Sequence, residues 1–192
     1  MPSLVIASGN PHKLAEIAAM LEPLDVLVSP QPRDLEVEET GQTYAENARL
    51  KAEAAARRTG SWALGDDSGL EVDALAGAPG LYSARYAPSD PERVARLLRE
   101  LGDTPYRAAR FRTAMALANP AGETVLEAEG LCHGQVLTRA DGEGPGYAPI
   151  FFVREAASSY ARMGEHLCRR LGSRGKAARQ LAPGLIALMG LS

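Results

Sequence analysis

Two adjacent carboxylates, Asp66 and Asp67, sit between glycines in the run Gly65-Asp66-Asp67-Ser68-Gly69, flanked by apolar segments of strand type. Buried and unpaired, they would be costly, so they require a cation, hydrogen-bond donors or water. A hard cation such as Mg²⁺ takes one or two protein carboxylates together with substrate phosphates, and a neighbouring carboxylate can activate water. The ordinary alternative is a tight turn in which Asp caps its own backbone. A second acidic pair, Glu38-Glu39, precedes a helix on which Asn47 and Lys51 stand four apart, on one face. By itself it also reads as a hydrated loop. Near the start, Ser8-Gly9-Asn10-Pro11-His12-Lys13 follows an apolar strand and opens a helix. Glycine permits close approach of a ligand, the helix start presents unpaired amides, and Ser8, Asn10 and Lys13 add donors. Ser or Asn at such a place is also a common helix cap. Taken together, the anion loop, the carboxylate pair, the helical lysine and the acidic turn are the parts of a metal-assisted phosphoryl or pyrophosphoryl hydrolase.

The elements that must position these groups follow from periodicity. Leu4–Ala7 predicts a buried strand, Leu14–Leu21 a helix ended by Pro23, and Asp25–Val28 a second strand. Thr43–Thr59 is helical, with Tyr44, Ala48, Ala52 and Ala55 on one face and Gly60 as its stop. Trp62–Leu64 and Leu70–Val72 read as two short strands around the Asp66-Asp67 turn. Residues 76–86 read as irregular. Pro91–Leu101 is a helix capped by Ser89 or Asp90. Ala108–Ala118 and Thr124–Val136 read as long strands joined at Asn119–Gly122, and Ile150–Val153 as another after a glycine-rich loop. The last stretch reads as helix broken near Gly172 and Pro183. Glu53 and Arg57 read as a surface pair. The whole predicts an α/β fold with a mixed sheet.

The chain has 192 residues and a net charge of −3, too acidic for sequence-independent nucleic-acid binding. From Arg154 onward seven Arg/Lys face two Glu, leaving the remainder at −8. Cys132 and Cys168 form no CxxC pair, which fits a reducing compartment. No stretch approaches the ~20 apolar residues of a membrane span, so a cytoplasmic protein is expected. Walker A, GxGxxG and GxSxG patterns are absent.

Five ordered blocks resemble the inosine/xanthosine triphosphate pyrophosphatase family over essentially the whole chain. They are Ser8–Lys13, Glu38–Ala48 with Lys51, Asp66–Leu70, Gly77–Tyr86 and Ala109–Phe111. The resemblance implies an elongated mixed sheet flanked by helices, two lobes of one domain around a substrate cleft, and a homodimer. It implies Mg²⁺-dependent hydrolysis of dITP/ITP and XTP to the monophosphate and pyrophosphate. Matching positions imply that Ser8, Gly9, Asn10, Pro11, His12 and Lys13 hold the triphosphate, and that Glu39 and Asp67 bind Mg²⁺. They further imply Asp67 as general base, Lys51 and Asp66 steadying phosphates and water, and Ser68 on the substrate.

At the purine end the chain departs from the family. Pro145-Gly146-Tyr147-Ala148 stands where the family has Phe-Gly-Tyr-Asp, Cys168 where it has lysine, and Gly172-Ser173-Arg174-Gly175 where it has Ser-His-Arg-Gly. Tyr147 and Arg174 are kept, and with Gly146 and Ser173 they are the expected substrate contacts at this end. Losing donors that distinguish a base erodes selectivity, so an altered base preference is expected. The rival expectations are a triphosphatase of different nucleotide specificity and a non-catalytic nucleotide-binding dimer.

Overall fold

Residues 2–191 are described by the computed structural model. Among the described residues seven strands and five α-helices follow in chain order: β1 (Ser3–Ile6), α1 (Pro11–Leu21), β2 (Leu27–Pro30), α2 (Tyr44–Thr59), β3 (Trp62–Val72), α3 (Asp90–Leu101), β4 (Ala108–Ala118), β5 (Thr124–Val136), β6 (Phe151–Val153), β7 (Ser158–Ser159), α4 (Glu165–Leu171) and α5 (Ser173–Met189). The sheet order is β2-β1-β3-β4-β5-β6-β7. β1 pairs in parallel with β2 and β3, whereas β6 pairs antiparallel with β5 and β7. The sheet is mixed and the fold α/β, as the residue patterns predicted. Among the described residues no helix is long and apolar enough to cross a membrane.

The chain separates into two compact units, and β3, β4 and β5 contribute residues to both. The first holds, of the described residues, 2–67, Thr113–Gly130 and 174–191. Its core gathers Leu4, Ile6, Ile17, Leu64, Leu117 and, from α5, Leu181, Leu185 and Met189. The second holds Ser68–Arg112 and Leu131–Ser173. Leu70, Val72, Leu97, Ile150 and Phe151 are central to its core.

Local signals located most boundaries. Thr43 caps α2 by accepting the Glu46 N–H, and Gly60 ends it in the left-handed region at φ 65. Ser89, not Asp90, caps α3. The two long strands occupy the predicted ranges. The second strand lies two residues later than predicted, because parallel pairing with β1 aligns Ser3 with Leu27 and Ile6 with Pro30. Residues 76–86 include a 3-10 turn over Gly80–Arg85. Arg57 and Glu53 do pair, at 3.5 Å. They also hold the β4–β5 hairpin, since Arg57 donates to the Gly122 carbonyl and Glu53 accepts from Thr124.

Two expectations are corrected. The acidic turn is instead the middle of one uninterrupted strand, β3. Gly65 makes this possible: a Cβ there would collide with the Ala48 carbonyl and the Ala52 amide of α2. Strand and helix backbones therefore approach closely along the buried alanine face of α2. Nor does Pro183 break the last helix, which runs from Ser173 to Met189 with proline inside it. Pro183 is exposed, while Leu181, Leu185 and Met189 are buried at successive four-residue steps. Core packing outweighs the hydrogen bond that proline deletes.

Candidate active site

The first unit brings five chain segments to one cluster of charge, the fifth being α5 with Arg174. α2 presents Asn47 and Lys51 one turn apart, β3 presents Asp66 and Asp67, the loop before α2 presents Glu39, and α1 presents Lys13. Successive strand residues point to opposite faces, and the two aspartates accordingly meet different partners. Asp67 faces α2: its Oδ2 accepts the Asn47 carboxamide at 3.0 Å, and its Oδ1 lies 3.6 Å from the Lys51 ammonium. Asp66 is 1% exposed, and its Oδ2 takes both Lys13 at 3.3 Å and Arg174 Nε at 3.0 Å.

The Lys51 ammonium also lies 2.8 Å from Glu39 Oε1. Glu39 and Asp67, separated by 28 positions, thus bracket one cation. Burial disfavours charge on Lys51, but Asp66, Asp67 and Glu39 outweigh it and hold its pKa above the ordinary lysine value. For Asp67 burial prevails. Lys51 and Asn47 pull its pKa down, Glu39 pushes it up, and the net position is above the usual aspartate value. Asp66 goes the other way. Burial pushes it up, yet Lys13, Arg174 and Lys51 together hold it well below the usual carboxylate range. The pKa values of two adjacent carboxyls are therefore driven apart, that of Asp66 downward and that of Asp67 upward.

Two participants went unassigned in the sequence reading. Asn47 is 2% exposed; besides holding Asp67, its Oδ1 accepts the Gly41 N–H at 2.8 Å, tying the acidic loop to α2. Its spacing from Lys51 was the available signal. Glu16, one turn after Lys13 on α1, accepts Arg174 Nη1 at 2.6 Å. Arg174 is thereby shared between α1 and β3. Burial lowers its pKa, but Asp66 and Glu16 more than restore it.

The loop ahead of α1 differs from expectation in one respect: the amides of Asn10, His12 and Lys13 are already paired. Asn10 Oδ1 accepts the His12 N–H at 2.9 Å and the Lys13 N–H at 3.5 Å, and Ser8 Oγ accepts the Asn10 N–H. Proline at the first helical position has no N–H to offer. Asn10 is thus a working cap, and a Cβ on Gly9 would meet nothing within 4 Å.

The remaining expected contacts belong to the second unit. Gly146, at φ 59, donates its N–H to Asp90 Oδ2 at 2.7 Å. Tyr147 is buried and donates its hydroxyl to the Ser83 carbonyl at 2.9 Å; burial raises the phenol pKa. Ala148 is buried in a 3-10 turn, and the Cys168 thiol donates to the Met163 carbonyl at 3.5 Å. Ser68 lies half-buried in β3, and Ser173 is buried at the start of α5.

Residues 4–184 match the model of the Ham1 family. A dITP/XTP pyrophosphatase of Synechococcus sp. is 50% identical, the alignment covering 97% of this chain and 91% of the relative. One of Prochlorococcus marinus is 51% identical over 97% and 92%. Among solved structures, a HAM1 protein from Coxiella burnetii superposes with a TM-score of 0.88 at 37% identity, covering 97% of this chain and all of that one. The Staphylococcus aureus Ham1 protein gives 0.86 at 36% identity, with 96% and 98% covered. With matches of this extent in both sequence and fold, the chain belongs to the Ham1 family.

Proposed function

We propose that this protein hydrolyses nucleoside triphosphates bearing non-standard purines, dITP/ITP and XTP, to the monophosphate and pyrophosphate, and so cleanses the nucleotide pool. The reaction class follows the dITP/XTP pyrophosphatases that it matches at about half identity over nearly full length. The observation that carries the assignment to particular residues is the convergence of Glu39 and Asp67 on one cationic position.

A divalent ion fits that position. Two like-charged groups from separate segments are held together there, and their repulsion is part of what raises Asp67. Among the described residues no group of three or more His, Cys, Asp or Glu is assembled for a metal. A hard cation held by Glu39 and Asp67 would draw its other oxygens from phosphate and water, as Mg²⁺ does. When bound, such an ion supplies Lewis-acid neutralisation of the polyphosphate. Asp67 takes a proton from the attacking water as the water oxygen bonds to the α-phosphorus. The bond from that phosphorus to the bridging oxygen breaks, and pyrophosphate leaves. Asn47 holds the Asp67 carboxylate in place, while Lys13 and Lys51 supply positive charge toward the polyphosphate. Asp66 stays ionised and orients Lys13.

Asp67→Asn keeps the shape and the Asn47 contact but removes the proton acceptor. Its pyrophosphate release should fall by roughly 10²–10⁴-fold with the circular dichroism unchanged. A rate near wild type would remove Asp67 from the role. The retained acceptor also speaks against a non-catalytic binder, which has no use for it.

A further inference from the structure

Lys51 places its ammonium between Glu39 and Asp67. Its ammonium touches Glu39 at 2.8 Å and lies 3.6 Å from Asp67, its side chain is 12% exposed, and it comes from the middle of a rigid helix. The geometry points to Lys51 as a resident counter-ion that competes with the divalent metal for Glu39 and Asp67, so that metal binds well only in company with a polyphosphate. This inference rests on the metal reading above and adds the order of binding to it.

The argument is one of charge. Without a divalent ion, two carboxylates of which one is largely buried need a positive neighbour, and Lys51 provides it. A second cation entering the same space meets the repulsion of the ammonium a few ångströms away. A polyphosphate relieves that repulsion, because its oxygens accept the ammonium and supply the ligands that the two carboxylates lack. Asp66 is already neutralised by two other cations, Lys13 and Arg174, both on its Oδ2, while its buried Oδ1 has no hydrogen-bond partner among the described residues. The lysine thus exchanges a carboxylate pair for a phosphate as the substrate arrives. Metal entering with the nucleotide then meets a site made ready in the same event.

The test measures Mn²⁺ binding by the intact protein, by calorimetry or electron paramagnetic resonance, with and without inorganic tripolyphosphate. Wild type should bind free Mn²⁺ weakly and gain strongly from tripolyphosphate. Lys51→Gln, which removes the charge and shortens the side chain by one atom, should bind free Mn²⁺ at least about tenfold tighter. That is the lower bound that bulk-water screening sets for removing a unit charge roughly 6 Å from a divalent ion. Its gain from tripolyphosphate should shrink correspondingly. Lys51→Arg should behave like wild type. Equal or weaker binding of free Mn²⁺ by Lys51→Gln would overturn the inference. Glu39→Gln combined with Asp67→Asn separates the two layers. If that variant loses Mn²⁺ while Lys51→Gln gains none, only the competition fails. If it binds Mn²⁺ as wild type does, the metal assignment itself fails.

Discussion

Arg174 is the member of the charged cluster whose removal has the most calculable cost. Its side chain is 15% exposed and it donates to two carboxylates, Glu16 at 2.6 Å and Asp66 at 3.0 Å. Replacing it by Gln leaves Asp66, 1% exposed, with Lys13 as its nearest remaining partner at 3.3 Å. Glu16, 28% exposed, can turn to water and adds little. Breaking a buried ion pair from one side costs about 3–5 kcal/mol. For a chain of this length each kcal/mol corresponds to a fall of roughly 2–4 °C in Tm, so Arg174→Gln should melt roughly 6–20 °C below wild type. The effect also has a pH signature. In the wild type the folded pKa of Asp66 lies below its unfolded value. Its contribution to stability is therefore fully present above the unfolded pKa of about 3.9 and is lost as pH falls through the lower folded value. Without Arg174 the burial of Asp66 is less opposed and its folded pKa rises. The difference in stability between the two proteins should then be largest near neutrality and narrow below about pH 4. Scanning calorimetry at several pH values measures both quantities, and the Asp66→Asn and double variants complete the cycle, in which coupled partners lose less together than singly. A Tm within about 2 °C of wild type at pH 7, or strict additivity in the cycle, would refute the account.

Two further outcomes follow from the same cluster and from the purine-end residues. In the metal-free protein the Asp67 carboxyl should titrate above the pH of an ordinary aspartate, because burial outweighs the pull of Lys51 and Asn47, and a carbon NMR titration measures it. Asn47→Ala removes a donor that lowers that pKa and should move the titration higher still; a metal-free Asp67 that titrates no higher than an ordinary aspartate contradicts the account. Ala148 has no polar side chain, and the Cys168 thiol is turned to the Met163 carbonyl, so neither supplies the charged group that the family pattern has there. Relative kcat/KM for dITP, XTP, dGTP and dATP should consequently show a reduced preference for the deaminated bases, which Cys168→Lys should partly restore. An undiminished preference in the unmodified protein would show that other residues read the base.

Much of this protein is a consequence of short-range chemistry. The alanine-faced helix from Tyr44 to Thr59, its Thr43 cap and Gly60 stop, the Ser89 cap and the two long strands each depend on residues within a few positions, so spacing alone determined them. The side chains expected to be reactive could be named from residue type, since few types do this chemistry. What spacing could not decide was which of them share partners. Asp66 and Arg174 are 108 positions apart, and Glu16 and Arg174 are 158 apart. Only the packing of α5 against the core of the first unit brings these groups within hydrogen-bond distance. The same cause made β3 one strand where Gly and Asp suggested a turn. Contact between Gly65 and the backbone of α2 holds the strand straight there, and local preference yields to it because close-packed tertiary contacts outweigh the fractions of a kcal/mol by which turn residues favour turning.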